Sequence, residues 1–317
     1  MLSTPAAAAV HFQRNHHGIP PIDAGSWRLE VTGAVPSPVS VSLEKLRRYP
    51  RRQLTVVLEC AGHRRAEIEP PTAGIPWQAG DAVSEATWSG ISLADLLRDA
   101  GPEDARFVVL EGGDAEGASA PFARALPLDR ALHPDTLLAW EMDGEPLPPE
   151  HGAPLRAVVP GWYATDSIKW LRRIVALREP FTGPYEVDHY RLRNAADERG
   201  TRLTALSVHS LLTSHASGQR VDAGPHLLAG VAWGGSGGIA RVDVSIDGGA
   251  WQRADLVGPE SPYAFTRWSL DWEAKPGSVL LDIRATDGTG RVQLERPIWN
   301  VGGYANSSRQ RVRLDVS

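Results

Sequence analysis

Leu58-Glu59-Cys60-Ala61-Gly62-His63-Arg64-Arg65 is the stretch that decides how this chain is read, because it holds the only cysteine among 317 residues. The run before it, Leu54-Thr55-Val56-Val57-Leu58, is apolar and β-branched, which predicts a buried strand. Gly62 then opens a turn that carries two arginines. The end of a strand is a rigid place to hold a reactive side chain. Nearby guanidinium charge favours the thiolate, the form that ligates a metal or attacks a substrate. On residue type alone a lone cysteine is more often an inert, buried small hydrophobe, so the rest of the chain decides.

Outward from that stretch, the bulk properties set limits. A length of 317 residues exceeds what one core usually supports, so two domains are expected. The net charge of −5 argues against general binding to nucleic acid or an anionic membrane. An anionic substrate would then need a local basic pocket. A single cysteine excludes an intramolecular disulfide and gives no sign of an oxidising compartment. No apolar run reaches transmembrane length. The start, Met1 to Pro5 followed by alanines, lacks the basic and long apolar regions of a signal peptide. A cytoplasmic location is therefore the expectation, or a periplasmic one if a leader has been removed. Eleven tryptophans, 31 glycines and 25 prolines point to a loop-rich β protein with aromatic bodies to wall a pocket.

Along the chain, His11 to Pro21 reads as an irregular loop and Trp27 to Val31 as a half-buried strand. Ser42 caps a short helix that stops before Pro50. Residues 69–77 form a Pro-rich loop. Ser92 and Asp95 make a capping-box-like pair ahead of Leu93, Leu96 and Leu97, with Gly101 as the stop. Phe107 to Leu110 predicts a strand, Leu137 to Met142 is a further apolar run, and Ser167 to Leu177 predicts another strand. The polar stretch Asn194 to Gly200 reads as a helix- or turn-like linker. Beyond it, Val242, Val244 and Ile246, then Leu281, Ile283 and Ala285, alternate with polar residues and end in Asp-Gly turns. That pattern is the mark of an immunoglobulin-like sandwich. The fold class expected is α+β: a mixed α/β domain over residues 1–195, then an all-β immunoglobulin-like sandwich over 196–317.

Taken singly, the chemical candidates are weak. His11, His16 and His17 match no zinc spacing. A Cys60–His151 nucleophile pair has no sequence signal that brings the two together. Arg14, Arg64 and Arg65, set near glycines, prolines and the thiol, fit an oxyanion pocket better than a plain surface. The absence of any GxGxxG or Walker sequence removes the dinucleotide and phosphate-loop readings.

Several motifs in order are more specific. Phe12-Gln13-Arg14-Asn15-His16, the Cys60 stretch, Glu111-Gly112-Gly113-Asp114, Glu141 to Pro148, His151 to Arg156, Val158 to Gly161, Ser167 to Leu171 and Trp299-Asn300 follow one another along the chain. Together they resemble the molybdenum-cofactor part of the sulfite oxidase family, which ends in an immunoglobulin-like dimerisation domain. The resemblance implies that Cys60 ligates molybdenum beside the sulfurs of one molybdopterin. Thiolate softness agrees with that role. It implies that Phe12, Gln13, Arg14, Asn15, His16, Asp114, His151, Arg156, Ser167, Ile168 and Lys169 hold the pterin and its phosphate. Tyr190 stands where the family carries an active-site tyrosine, with Tyr185 as its competitor. Arg14 and Arg65 would hold the substrate oxyanion, with Trp77 and Trp162 as pocket walls.

The implied activity is oxygen-atom transfer by a molybdopterin oxidoreductase, foremost the oxidation of sulfite to sulfate. The expected partners are a small anionic substrate, an external electron-transfer protein such as a cytochrome c in place of a haem domain, and a second copy in a homodimer. The alternatives are a reductase of nitrate or of an S- or N-oxide at the same site, and a cofactor-free β-sandwich interaction protein. The chain departs from the family pattern at three places: His63 replaces an asparagine, Gly302 stands where an arginine is usual, and a lysine is missing before Trp77.

Overall fold

In the computed structural model, residues 11–115, 120–235 and 237–317 are described. The N-terminal run read above for a leader lies outside them. The β-branched run forms strand Arg51–Glu59, whose last four residues are buried. It pairs antiparallel with Val83–Ser92 from Arg51↔Ile91 to Glu59↔Val83. Leu137–Met142 lies on the other side of Val83–Ser92 and carries Glu145–Pro146 and Arg156–Val158 on its own free edge.

A second sheet runs in the order Val39–Val41, Leu29–Gly33, Leu171–Leu177, Phe107–Gly112, Ala123–Pro127. Leu29–Gly33 pairs in parallel with Leu171–Leu177, which forces a long crossover between them. That crossover contains the whole first sheet. The two sheets share one core, in which Leu29, Val31, Leu110 and Ile174 meet Ile91, Leu138 and Ala157. Helix Leu93–Ala100 plugs the same core with Leu93, Leu96 and Leu97. Ser92 caps it through the Ala94 N–H, and Gly101 ends it at φ 63°. Asp95 does not close a capping box; its carboxylate bonds Arg98 instead.

The second part of the chain is a sandwich of a four-stranded and a five-stranded sheet. Val242, Val244, Leu281 and Ile283 face Leu228, Ala232 and Trp268 across its core. The expected class, a mixed domain followed by a β sandwich, describes the observed architecture.

Two local expectations change. The strand placed over Ser167 to Leu177 begins only at Leu171. Trp170 takes φ 52° and sends its N–H to Gly152 O and its indole N–H to Pro149 O, so Ser167 to Trp170 turn out of the sheet. The linker over Asn194 to Gly200 is a β-hairpin, with Arg191–Asn194 paired to Asp197–Arg202. The Asn194 side chain accepts from the N–H groups of Ala196 and Asp197 and makes the turn. The division at residues 195 and 196 remains a proposal; it falls at the tip of this hairpin.

Candidate active site

Cys60 sits just past strand Arg51–Glu59. Its N–H donates to Ala82 O, and its carbonyl accepts from His63 N–H, each at 2.9 Å, which fixes the turn. Burial pushes the Cys60 thiol up, although the Gly62 N–H, Arg65 and Arg14 pull it down. The arginines do favour the thiolate, as expected, but desolvation outweighs them. A metal at the sulfur would favour the thiolate further.

Beside Cys60 a pocket gathers residues from stretches far apart in sequence. Phe12, Arg14, Asn15 and His16 come from the entry loop, and Asp114 from the end of strand Phe107–Gly112. His151 comes from the turn Pro149–His151, Arg156 from the start of strand Arg156–Val158, and Ser167, Ile168 and Lys169 from the turn before Leu171. Tyr190 closes the far wall.

The deep end of the pocket is positive and under-compensated. Arg156 is buried, and its guanidinium donates only to main-chain carbonyls, those of His151 at 2.9 Å and Ser167 at 3.2 Å foremost. It stacks over Trp88 at 4.5 Å. Burial lowers its pKa to about 9. The Lys169 ammonium bonds Asn15 Oδ1 and Glu150 O, both uncharged acceptors. Burial, then the charge of Arg156, lowers Lys169 to about 7. His11, also buried and lining the pocket, has a ring Nε2 without a partner. Ser167 Oγ accepts from the Val159 N–H, and Asp114 Oδ1 accepts from the Phe122 N–H, so both hold the pocket's own loops.

The other end is aromatic. The Tyr190 hydroxyl bonds His16 Nε2 directly. Burial, then Arg14, lowers His16 to about 4, so the ring is neutral near pH 7. Burial raises Tyr190, so its phenol keeps its proton. Beneath it, Arg124 lies 5.6 Å from the Tyr190 ring and pairs with buried Asp166 at 3.3 Å. Tyr185 bonds His17 instead and does not line the pocket.

Some expected residues are elsewhere. The Arg65 guanidinium spends two donors on Gly302 O (3.0 Å) and Ile75 O (2.8 Å) and lies outside the pocket lining. It threads between Gly62, Gly74 and Gly303, where an added Cβ would come within 2.5 to 2.8 Å of it. Its long arm is thus held as a strut, while its charge still reaches Cys60 and lowers the thiol; the placing of Arg65 on the substrate remains a proposal. Gln13 is exposed and off the lining. Trp162 is held between Arg130 and Arg202, and neither it nor Trp77 walls the pocket. The sequence reading missed Phe122 and Trp170 as pocket residues and passed over His11 as a weak metal ligand. His11 stands next to the entry motif, and that adjacency was the available signal; Phe122 carried none.

Comparison with known proteins agrees with this geometry. Residues 16–185 match the family model described as oxidoreductase molybdopterin binding domain, and residues 201–317 that of the Mo-co oxidoreductase dimerisation domain. The chain is 37% identical to the sulfite oxidase of Gallus gallus, over 95% of this chain and 71% of that protein. It is 36% identical to the mitochondrial sulfite oxidase of Homo sapiens, spanning 61% of its length. A nitrate reductase of Hordeum vulgare is 32% identical over 97% of this chain and 39% of its own. The solved sulfane dehydrogenase SoxCD from Paracoccus pantotrophus superposes with a TM-score of 0.87 at 30% identity, covering 99% of this chain and 82% of that one. With the first family model covering residues 16–185, the second covering 201–317, and 37% identity to a sulfite oxidase, the chain belongs to the sulfite oxidase family of molybdopterin-dependent oxidoreductases.

Proposed function

We propose that the chain oxidises sulfite to sulfate and passes the electrons to a separate acceptor protein such as a cytochrome c, working as a homodimer through its dimerisation domain. The observation that carries this is the convergence of Cys60, Arg14, Tyr190, His16, Arg156 and Lys169 on one pocket.

The residues present fit the family's cofactor. A buried guanidinium and a half-buried ammonium whose hydrogen bonds go only to uncharged acceptors are costly unless an anion joins them. A phosphate on the pterin is such an anion. The unpartnered His11 Nε2 has a hydrogen bond to offer a polar heterocycle. Arg156, Lys169 and Asn15 would hold the phosphate end, and Asp114 and His151 the pterin, while Cys60 would ligate the metal. When bound, the molybdenum cofactor supplies a two-electron couple for oxygen-atom transfer.

The overall change takes sulfite and one water to sulfate with two protons and two electrons released. Arg14 is exposed at the mouth and supplies the positive potential that draws in the dianion. Neutral His16 accepts from the Tyr190 hydroxyl, so that phenol stays protonated and aimed into the pocket.

The likeness to the Hordeum vulgare nitrate reductase favours a second reading, nitrate reduction at the same site. The molybdenum-loaded protein is tested for sulfite-dependent reduction of ferricyanide and cytochrome c, and for nitrate consumption with a reduced dye. Sulfite turnover is expected. Loaded protein that ignores sulfite and consumes nitrate would overturn the first reading in favour of the second.

A further inference from the structure

Glu59 is a carboxylate in an apolar setting. It is 1% exposed, it ends strand Arg51–Glu59, and it immediately precedes Cys60. No arginine or lysine pairs with it among the described ion pairs; ring nitrogens surround it. His63 Nδ1 lies 2.9 Å from Oε1, and the Trp233 indole N–H donates to Oε2 at 2.9 Å. His209 Nε2 is 3.3 Å from Oε1, without hydrogen-bond geometry. His63 belongs to the Cys60 turn. His209 and Trp233 sit opposite each other on strands His209–Leu212 and Gly224–Trp233 of the sandwich, their rings stacked at 5.0 Å and 8°. One buried acid therefore ties the Cys60 turn to the second part of the chain.

Glu59 Oε1, His63 Nδ1 and His209 Nε2 also lie within 4.8 Å of one another, the shape of a cation site. The far side of His63 decides against a metal. The Gly80 N–H donates to His63 Nε2 at 3.1 Å, so that nitrogen offers its lone pair and the ring proton is on Nδ1. A metal on Nδ1 would need that proton gone and would set an N–H on Nε2 against the Gly80 N–H. The His63 ring instead donates to Glu59. Each carboxylate oxygen thus accepts an N–H, and the acid is held as a carboxylate.

We propose that Glu59 is the positioning residue for Cys60: a fixed negative charge, clamped by rings from both parts of the chain, that sets how the thiolate is presented and favours the oxidised state of the metal it holds. The second half of this statement rests on Cys60 being the metal ligand; the clamp does not. A buried charge beside the ligand acts through low dielectric and is weakly screened, and the Trp233 bond is one that only the folded arrangement of both parts makes.

The test uses Glu59→Gln and Trp233→Phe in the full chain, with two readouts. In the molybdenum-loaded protein, a redox titration should place the midpoint potential of Glu59→Gln above wild type, since a negative charge is gone. In cofactor-free protein, maleimide labelling of the lone cysteine should run about tenfold faster in Trp233→Phe, the value of one hydrogen bond to a charged group. Wild-type potential and wild-type labelling in both variants would overturn the proposal. So would stoichiometric zinc in the purified protein that His63→Gln removes. If Glu59→Gln does not fold, Trp233→Phe decides alone by its labelling rate. A wild type that takes up neither molybdenum nor pterin in a competent host sinks the cofactor reading, and the labelling result still decides the clamp.

Discussion

Without its cofactor this protein should grow more stable as pH rises from neutral, and Lys169 is the cause. Burial, then Arg156, lowers its folded-state pKa from the ordinary 10.5 to about 7. Below about pH 7 both folded and unfolded chains carry the proton, and the folded state bears the full cost of the buried charge. Between about 7 and 10.5 the unfolded chain keeps the proton and the folded one has lost it. Unfolding then takes up a proton, so raising the pH favours the folded state; above 10.5 the difference is gone. A shift of this size corresponds to about 5 kcal/mol at most. Lys169 keeps some solvent contact, and halving the figure for screening leaves about 2–3 kcal/mol. Urea unfolding of cofactor-free protein from pH 6.5 to 10, for wild type and Lys169→Met, isolates the effect. The variant should be more stable than wild type near pH 6.5 relative to their difference near pH 10, by about 2–3 kcal/mol. Cofactor binding should flatten the wild-type slope, because a phosphate beside the ammonium restores its affinity for the proton. Parallel pH profiles for wild type and variant in the cofactor-free state would refute the assignment of an uncompensated cation to this pocket.

Two further outcomes follow from the support beneath the site. Arg124→Met leaves Asp166 and Glu186 short of a fully buried partner held at 3.3 and 3.5 Å. It should cost about 3–5 kcal/mol in urea unfolding, with Arg202 limiting the loss through its own bond to Asp166. Tyr190→Phe removes the hydroxyl that His16 accepts and should lower sulfite kcat/KM about a hundredfold with metal content unchanged. A normal rate and normal affinity would remove Tyr190 from the chemistry.

Much of the fold was legible because it is written in short-range pattern. The alternation of Val242, Val244 and Ile246 follows from one face being buried, and Ser92 and Gly101 bound their helix by local chemistry alone. The pocket was legible only where motif order carried it. Ser167 to Lys169 looked like strand because Ile168, Trp170 and Leu171 are apolar. Their apolar character serves a turn held by Trp170 at positive φ, and periodicity has no access to that. Arg65 looked like a substrate clamp because it neighbours the thiol. The glycines that confine it lie at 62, 74 and 303, and only the fold brings the last beside the first. Glu59 carried no signal in the sequence, since its partners His209 and Trp233 lie in the other half of the chain.

Those same contacts give the missing cation at Gly302 a physical reading. The Gly302 carbonyl accepts from Arg65, and a Cβ at 302 would fall 2.2 Å from the Tyr304 ring. Tyr304 in turn lies 5.5 Å from Tyr190 and 5.3 Å from the Arg65 guanidinium. An arginine cannot be restored at 302 without displacing Tyr304, and displacing Tyr304 disturbs the packing of Tyr190. The departure at 302 is thus a change of packing as well as of charge: a tyrosine and a tethered Arg65 occupy the region a second mobile cation would need. Positive charge in the pocket then falls to Arg14 at the mouth and to Arg156 and Lys169 at depth. On the proposed reading the deep pair would face the phosphate end of the cofactor, and capture of the substrate anion would rest on Arg14, an exposed guanidinium whose pull is open to screening by salt.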